Sequence, residues 1–233
     1  MTNWTWKNPL PKKGRTISFV GKGGSAKSTN LAHLLRYWKE MGIPAVAHDA
    51  DDSDGQEEPG SLLAWAEMLP LDGEGLGAPV YRAPAAPSLK AEVDRLRPPH
   101  GLSLIDTKAW DRGKHNSHLA AIRSSDLLVL SLYPSGMEKF RGASILGAMD
   151  EVETMSGHRP RVVCLLTRFN SSAGAADGVR EELEREGLHV LKSDIPASES
   201  KTGYAQSFGT VPRLKADSDM HNLAKELLVE VTR

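Results

Sequence analysis

Gly21-Lys22-Gly23-Gly24-Ser25-Ala26-Lys27-Ser28-Thr29 directly follows the apolar run Thr16 to Val20 and opens a segment with helical apolar spacing. A glycine-rich turn between a buried strand and a helix constrains the fold strongly. Glycines let successive backbone N–H groups turn inward and approach phosphate oxygens with no Cβ in the way. A helix starting near Lys27 adds its positive dipole end to the same place. In such a strand–loop–helix unit Lys27 supplies a point charge to the β- and γ-phosphates, and the Ser28 hydroxyl is placed to ligate Mg²⁺. Where the generic phosphate-loop pattern has glycine, this chain has Ala26.

Further short apolar runs lie at Ala45 to His48, Leu102 to Ile105, Leu127 to Leu132, Val162 to Leu166 and His189 to Leu191. Most lack alternation, as parallel strands covered on both faces do. Leu31, Leu34, Leu35 and Trp38 repeat at helical spacing and are closed by Gly42 and Pro44. Ile145, Met149 and Val152 mark a second helix, and Val179 with Leu183 a third. Alternating β and α elements predict a doubly wound, mostly parallel α/β sheet with helices on both faces. Residues 1–14 read as an N-terminal arm carrying Trp4 and Trp6, and residues 15–233 as one domain. The stretches Asp49 to Gly60 and Leu71 to Pro87 read as loops.

At 233 residues, 39 % apolar and 25 % charged, the chain suits a globular fold with a core. No apolar run reaches the roughly 20 residues a spanning helix needs, and no apolar stretch follows the N-terminal lysines as in a secretory signal. Cys164, the single cysteine, sits in an apolar run and reads as a buried strand residue. These features point to the cytoplasm. A net charge of −1 argues against a uniformly basic protein but leaves room for a local basic patch.

Hydrolysis at such a loop needs carboxylates to hold Mg²⁺ and orient water. Asp49 and Asp51 end the second strand, and Asp106 ends the run Leu102-Ser103-Leu104-Ile105. His115 and His118 stand three apart near Asp111 without a further ligand cluster and read as surface residues. No Gly-x-Ser-x-Gly surrounds a serine.

Lys-Gly-Gly-x-x-Lys-[Ser/Thr], present as Lys22 to Ser28, resembles the deviant Walker A motif of the ParA/MinD superfamily of P-loop ATPases. The resemblance implies that Lys22 reaches across a nucleotide-sandwich homodimer to the partner's phosphates. It implies that the second acid of Asp49-Ala50-Asp51 orients the lytic water, and that Asp106 is a Walker B acid. It assigns nucleotide binding to Lys22, Gly23, Gly24, Ser25, Ala26, Lys27, Ser28, Thr29, Arg168 and Pro196, and the metal to Ser28, Asp49 and Asp106. Ser125 to Leu130 with Tyr133-Pro134-Ser135, Leu165 to Arg168, and Ile195-Pro196 through Tyr204 and Gly209 extend the likeness over roughly residues 15 to 215. That span leaves no room for an N-terminal helix-turn-helix, as in the short plasmid-type ParA proteins. Two places depart from the pattern: Asp52-Ser53 stands where Asp-Pro-Gln is usual, and Lys108-Ala109-Trp110 where Pro or Gly follows Walker B.

The expected function is an ATP-dependent, dimerising ATPase for plasmid or chromosome partition. It would be slow alone, nucleoid-associated, bound to nonspecific DNA through Arg168, Lys201, Arg213 and Lys215, and stimulated by a ParB-like centromere-binding partner. The other reading is a positioning ATPase for a non-DNA cargo or at a membrane surface. A membrane member needs a basic amphipathic tail, whereas Asp217, Asp219, Glu226 and Glu230 are mixed into this one. The tail apolar residues Met220, Leu223, Leu227, Leu228 and Val231 therefore predict a helix docked on the sheet.

Overall fold

A computed structural model describes residues 11–51, 59–70, 75–110, 116–133, 139–169, 175–197 and 204–233. Its frame is a seven-stranded sheet in the order β3-β2-β4-β1-β5-β6-β7, parallel throughout. The strands are β1 (Arg15–Gly21), β2 (Ala45–Ala50), β3 (Val80–Arg82), β4 (Leu102–Thr107), β5 (Leu127–Leu132), β6 (Arg161–Phe169) and β7 (Ile195–Pro196). The helices are α1 (Lys27–Glu40), α2 (Ser61–Met68), α3 (Ala86–Leu96), α4 (Asn116–Ser124), α5 (Lys139–Ser156), α6 (Ala175–Arg185) and α7 (Asp219–Thr232).

Strand parity divides the core. Ile17, Phe19, Leu102, Leu104, Leu127 and Val129 face α1, α2 and α7. Val20, Leu128, Leu130, Cys164 and Leu166 face α5 and α6, while Ile105 packs towards α3 and α4. Both faces are covered, which is why the strands read as nearly continuous apolar runs. Cys164 is buried, and burial pushes its thiol up to about 12.

Helix α1 buries Leu31, Leu34, Leu35 and Trp38, each stabilising the fold by about 2 kcal/mol relative to exposure. It ends where Gly42 takes a φ of 74° and Ile43 N–H returns to Trp38 O at 2.8 Å. The C-terminal helix α7 docks on α1: Met220, Leu223, Leu227, Leu228 and Val231 are buried, and Trp38 Nε1 donates to Ala224 O at 3.1 Å. Ser218 caps it by accepting from His221 N–H. No described helix is long and apolar enough to cross a membrane.

Three expectations change. The segment Leu71 to Pro87 carries the edge strand β3 and the start of α3, because Tyr81 and Arg82 are exposed at the sheet edge and leave only a weak apolar signal. His189 to Leu191 makes a single parallel bridge, Cys164 with Val190, instead of a full strand. His118 is fully buried, not a surface residue; His115, Trp4 and Trp6 lie outside the described residues.

The far end of α7 is tied to β6 by Glu230, which is 3 % exposed. Its Oε2 accepts from Arg161 Nη2 at 2.5 Å and its Oε1 from Arg233 Nη1 at 2.7 Å, with His189 Nε2 at 3.5 Å. Glu230→Ala leaves Arg161 without its carboxylate, but that guanidinium is half exposed and rehydrates. The expected loss is about 2 kcal/mol, less than for a fully buried pair, read as a lower urea midpoint at unchanged slope.

Candidate nucleotide site

The site forms at the carboxyl ends of β1, β2 and β4, beside the point where the chain reverses direction across the sheet. From β1 it winds through α1 to β2 on one side, and later through α4 to β5 on the other. Open parallel sheets bind ligands at such a switch point.

Gly21 ends β1 so close to β5 that a Cβ there would stand 2.5 Å from Ser131 O and 2.9 Å from Ser25 Oγ. Only glycine fits, so the loop must turn here. Lys27 folds back inside the turn, its Nζ donating to Gly21 O and to Lys22 O, both at 3.2 Å. Ser25 closes the loop, with its N–H and Oγ donating to Lys22 O at 3.2 and 2.8 Å. From β6, Thr167 Oγ1 donates to Ser25 O at 3.2 Å, and Arg168 Nη1 donates to Gly24 O at 2.6 Å.

Ala26 precedes α1 with a φ of 60°, the left-handed region. The substitution is therefore not neutral: the residue pattern wants glycine because the backbone needs a positive φ, and alanine pays for it in strain of about 1–2 kcal/mol.

Register places Asp49 of β2 directly opposite Asp106 of β4. Asp49 is buried, and both its oxygens are occupied by the chain. Oδ1 accepts from Asp51 N–H at 3.0 Å, and Oδ2 from Leu63 N–H at 2.7 Å in the first turn of α2. Gly60 permits that approach, since a Cβ there would lie 2.2 Å from Asp49 Oδ1. Asp49 thus anchors α2 and the backbone of Asp51. Burial raises its pKa, with the Leu63 and Asp51 amides pulling it back.

Asp106 differs. It is fully buried, and neither oxygen has a well-formed hydrogen bond among the described residues. Burial first, and then the Asp49 charge, push its pKa up to about 8, while nearby Ser28 and Lys27 pull it down. Lys27 is buried too, and its pKa is lowered by desolvation against the opposing pull of Asp106 and Asp51.

An open pocket of about 300 Å³ lies over this cluster. Gly23, Gly24, Ala26, Lys27, Ser28 and Thr29 form its floor, with Asp51 and Thr107 at the strand ends. Ser61, Trp65, Ala109 and Phe208 complete the wall. Sequence reading singled out Ala109 only as part of a departure from the family pattern, and it did not assign Ser61, Trp65, Thr107 or Phe208 to the site. Trp65 lies on α2, a helix too short to show a period, and packs on Phe208 with ring centroids 5.4 Å apart. The Phe208 loop is held over α2 by Trp65 Nε1 donating to Thr210 O at 2.8 Å.

The expected residues therefore separate. Gly23, Gly24, Ala26, Lys27, Ser28, Thr29 and Asp51 share one pocket, with Asp106 and Asp49 buried behind it. Ser25, Lys22 and Arg168 shape the loop from outside the pocket wall. Pro196 sits on β7, half-buried. Arg213 and Lys215 are exposed, on the segment leading to α7, and Lys201, Asp52 and Ser53 lie outside the described residues.

Buried Asp106, whose oxygens have no well-formed hydrogen bond among the described residues, and the nearby Ser28 hydroxyl make an all-oxygen donor set. It fits a small hard dication such as Mg²⁺.

The sequence matches no family model and no curated protein. Solved structures do match. MinD cell division protein of Aquifex aeolicus aligns at a TM-score of 0.65 with 15 % identity, covering 92 % of this chain and 97 % of that one. Cobyrinic acid a,c-diamide synthase of Mycobacterium smegmatis, with bound ADP and magnesium, aligns at 0.66 with 17 % identity, covering 92 % and 94 %. A partition protein aligns at 0.59 with 14 % identity, covering 94 % and 72 %. The likeness establishes the fold alone: a doubly wound parallel α/β fold shared with these proteins.

Two outcomes follow from the local physics. Ala26→Gly removes the left-handed strain at some cost in backbone entropy, and raises the melting temperature by about 2 °C. For Asp106, a folded pKa raised above the unfolded value means that the folded state holds the extra proton. Stability is full below the unfolded pKa and is lost as pH rises towards about 8. In EDTA, Asp106→Asn is therefore more stable than wild type at pH 8, and the gap closes as pH falls towards 5. Denaturant titrations at the two pH values measure it.

Proposed function

We propose that this chain is an ATP-hydrolysing switch of the ParA/MinD type, closing as a homodimer around Mg·ATP. The observation that carries the reading is a desolvated Lys27 beside a buried Asp106 whose oxygens have no well-formed hydrogen bond among the described residues, under one phosphate-sized loop. Lys27 exchanges its carbonyl partners for the β- and γ-phosphate oxygens, and the amides of Gly23 to Ser28 with the start of α1 hold the rest of the chain of phosphates. Ser28 and Asp106 would hold Mg²⁺, which when bound would neutralise phosphate charge. Asp51 accepts a hydrogen bond from the attacking water and aims it at the γ-phosphorus; ADP and phosphate leave. Asp49 keeps Asp51 in place through its amide. Lys22 serves the partner copy's phosphates.

Partition is the reading of cargo. The likeness to a partition protein and the exposed Arg213 and Lys215 support it. Nonspecific DNA would be held by the ATP dimer through phosphate contacts, on the nucleoid in the cytoplasm, with a ParB-like centromere-binding protein accelerating otherwise slow hydrolysis. Arg168 contributes less to this surface than the sequence implies, because its guanidinium is engaged by Gly24 O. That observation keeps a second reading, a positioning ATPase with a non-DNA cargo. A membrane tail is disfavoured by the apolar face of α7, which is spent on α1.

Size-exclusion chromatography with light scattering, comparing Mg·ADP with Mg·ATP, tests the switch. Wild type dimerises only in Mg·ATP. Lys22→Ala stays monomeric, and Asp51→Ala accumulates the dimer while turnover drops about a hundredfold or more. Identical elution of all three proteins in both nucleotides contradicts it.

A further inference from the structure

We propose that Trp110 is a positioning residue that makes helices α4 and α5 respond to what occupies the phosphate loop; the inference rests on the reading of that loop as a nucleotide site. The segment Lys108-Ala109-Trp110 leaves β4 immediately beyond Asp106 and Thr107. Each of its residues touches a different part of the machine. Ala109 stands in the pocket wall, 3.4 Å from where a Cβ on Gly23 would be. The Trp110 N–H donates to Gly21 O at 2.9 Å, the same carbonyl that accepts Lys27 Nζ.

The Trp110 ring is 6 % exposed and reaches the opposite way. Its Nε1 donates to Ser144 Oγ of α5 at 2.9 Å. The ring meets His118 of α4 at a tilt, with ring centroids 4.5 Å apart and planes 56° apart, and His118 Nε2 is 3.2 Å from Lys108 O. Ile122 and Ile145 belong to the same apolar cluster as the indole, so movement of the ring is felt by both helices.

The physical logic is one carbonyl shared by two donors. A phosphate that draws Lys27 forward leaves Gly21 O to the Trp110 amide alone, which shortens or re-aims that bond. A rigid, buried indole transfers the adjustment to Ser144, because close-packed interiors transmit strain instead of absorbing it. Trp110 does not touch nucleotide. It acts through the loop on one side and through α5 on the other.

Amide hydrogen exchange by mass spectrometry, with and without Mg·AMPPNP, tests this on the full chain. Each variant is compared with itself, so general loosening cancels. In wild type, nucleotide slows exchange in residues 21–31 and also in residues 145–156 of α5. In Trp110→Phe and in Ser144→Ala the loop response remains, while the α5 response shrinks about fivefold, the equilibrium weight of one net hydrogen bond. Ser144→Thr keeps the acceptor hydroxyl and keeps the α5 response. A loop that responds while α5 is silent in wild type, or an α5 response unchanged in both Trp110→Phe and Ser144→Ala, overturns the relay. A wild-type loop that gains no protection overturns the nucleotide reading itself, and the relay with it.

Discussion

A carboxylate buried at the end of a parallel strand, with no well-formed hydrogen bond to either oxygen among the described residues, faces a buried ammonium across the same loop. Asp106 and Lys27 are each displaced from their ordinary acidity by loss of water, and each partly restores the other. Neither is at ease in this arrangement, since ionised groups taken out of water are costly unless fully paired. A dication and a polyanion arriving together resolve both costs at once. That is why the site reads as one for a metal–nucleotide complex and not for phosphate alone.

The sheet makes this arrangement possible. Parallel register sets Asp49 against Asp106 and brings β1, β2 and β4 to a common edge. The two acids then serve different ends. Asp49 is satisfied by amides of α2 and Asp51, and so holds the shape of the site; Asp106 is left with coordination capacity. Gly21 and Gly60 are the positions where a side chain would have blocked these approaches.

Much of this was legible in the sequence because the cues are local. The loop from Gly21 to Thr29, the acids at strand ends and the apolar runs each sit within a few residues of chain, and their order along it implies the fold. The docked tail helix could be read from the spacing of Met220 to Val231. What escaped reading depends on contacts distant in sequence. Trp65 and Phe208 meet only once the 204–215 segment crosses α1, and the buried His118 meets Trp110, which comes from the end of another strand. The division of labour between Asp49 and Asp106 was likewise hidden, since the partners of Asp49 belong to a helix whose eight residues show no clear period. Ala26 could be judged only when its φ was known.

The most direct measurement is isothermal titration calorimetry of ATP into the protein at pH 7, run with Mg²⁺ and with EDTA, each in two buffers of different ionisation enthalpy. If Asp106 holds the metal, binding must expel its proton, so Mg·ATP binding releases more protons than ATP binding in EDTA and is also tighter. Equal affinity and equal proton release under the two conditions would contradict the account, because Asp106 would then play no part in holding the ligand.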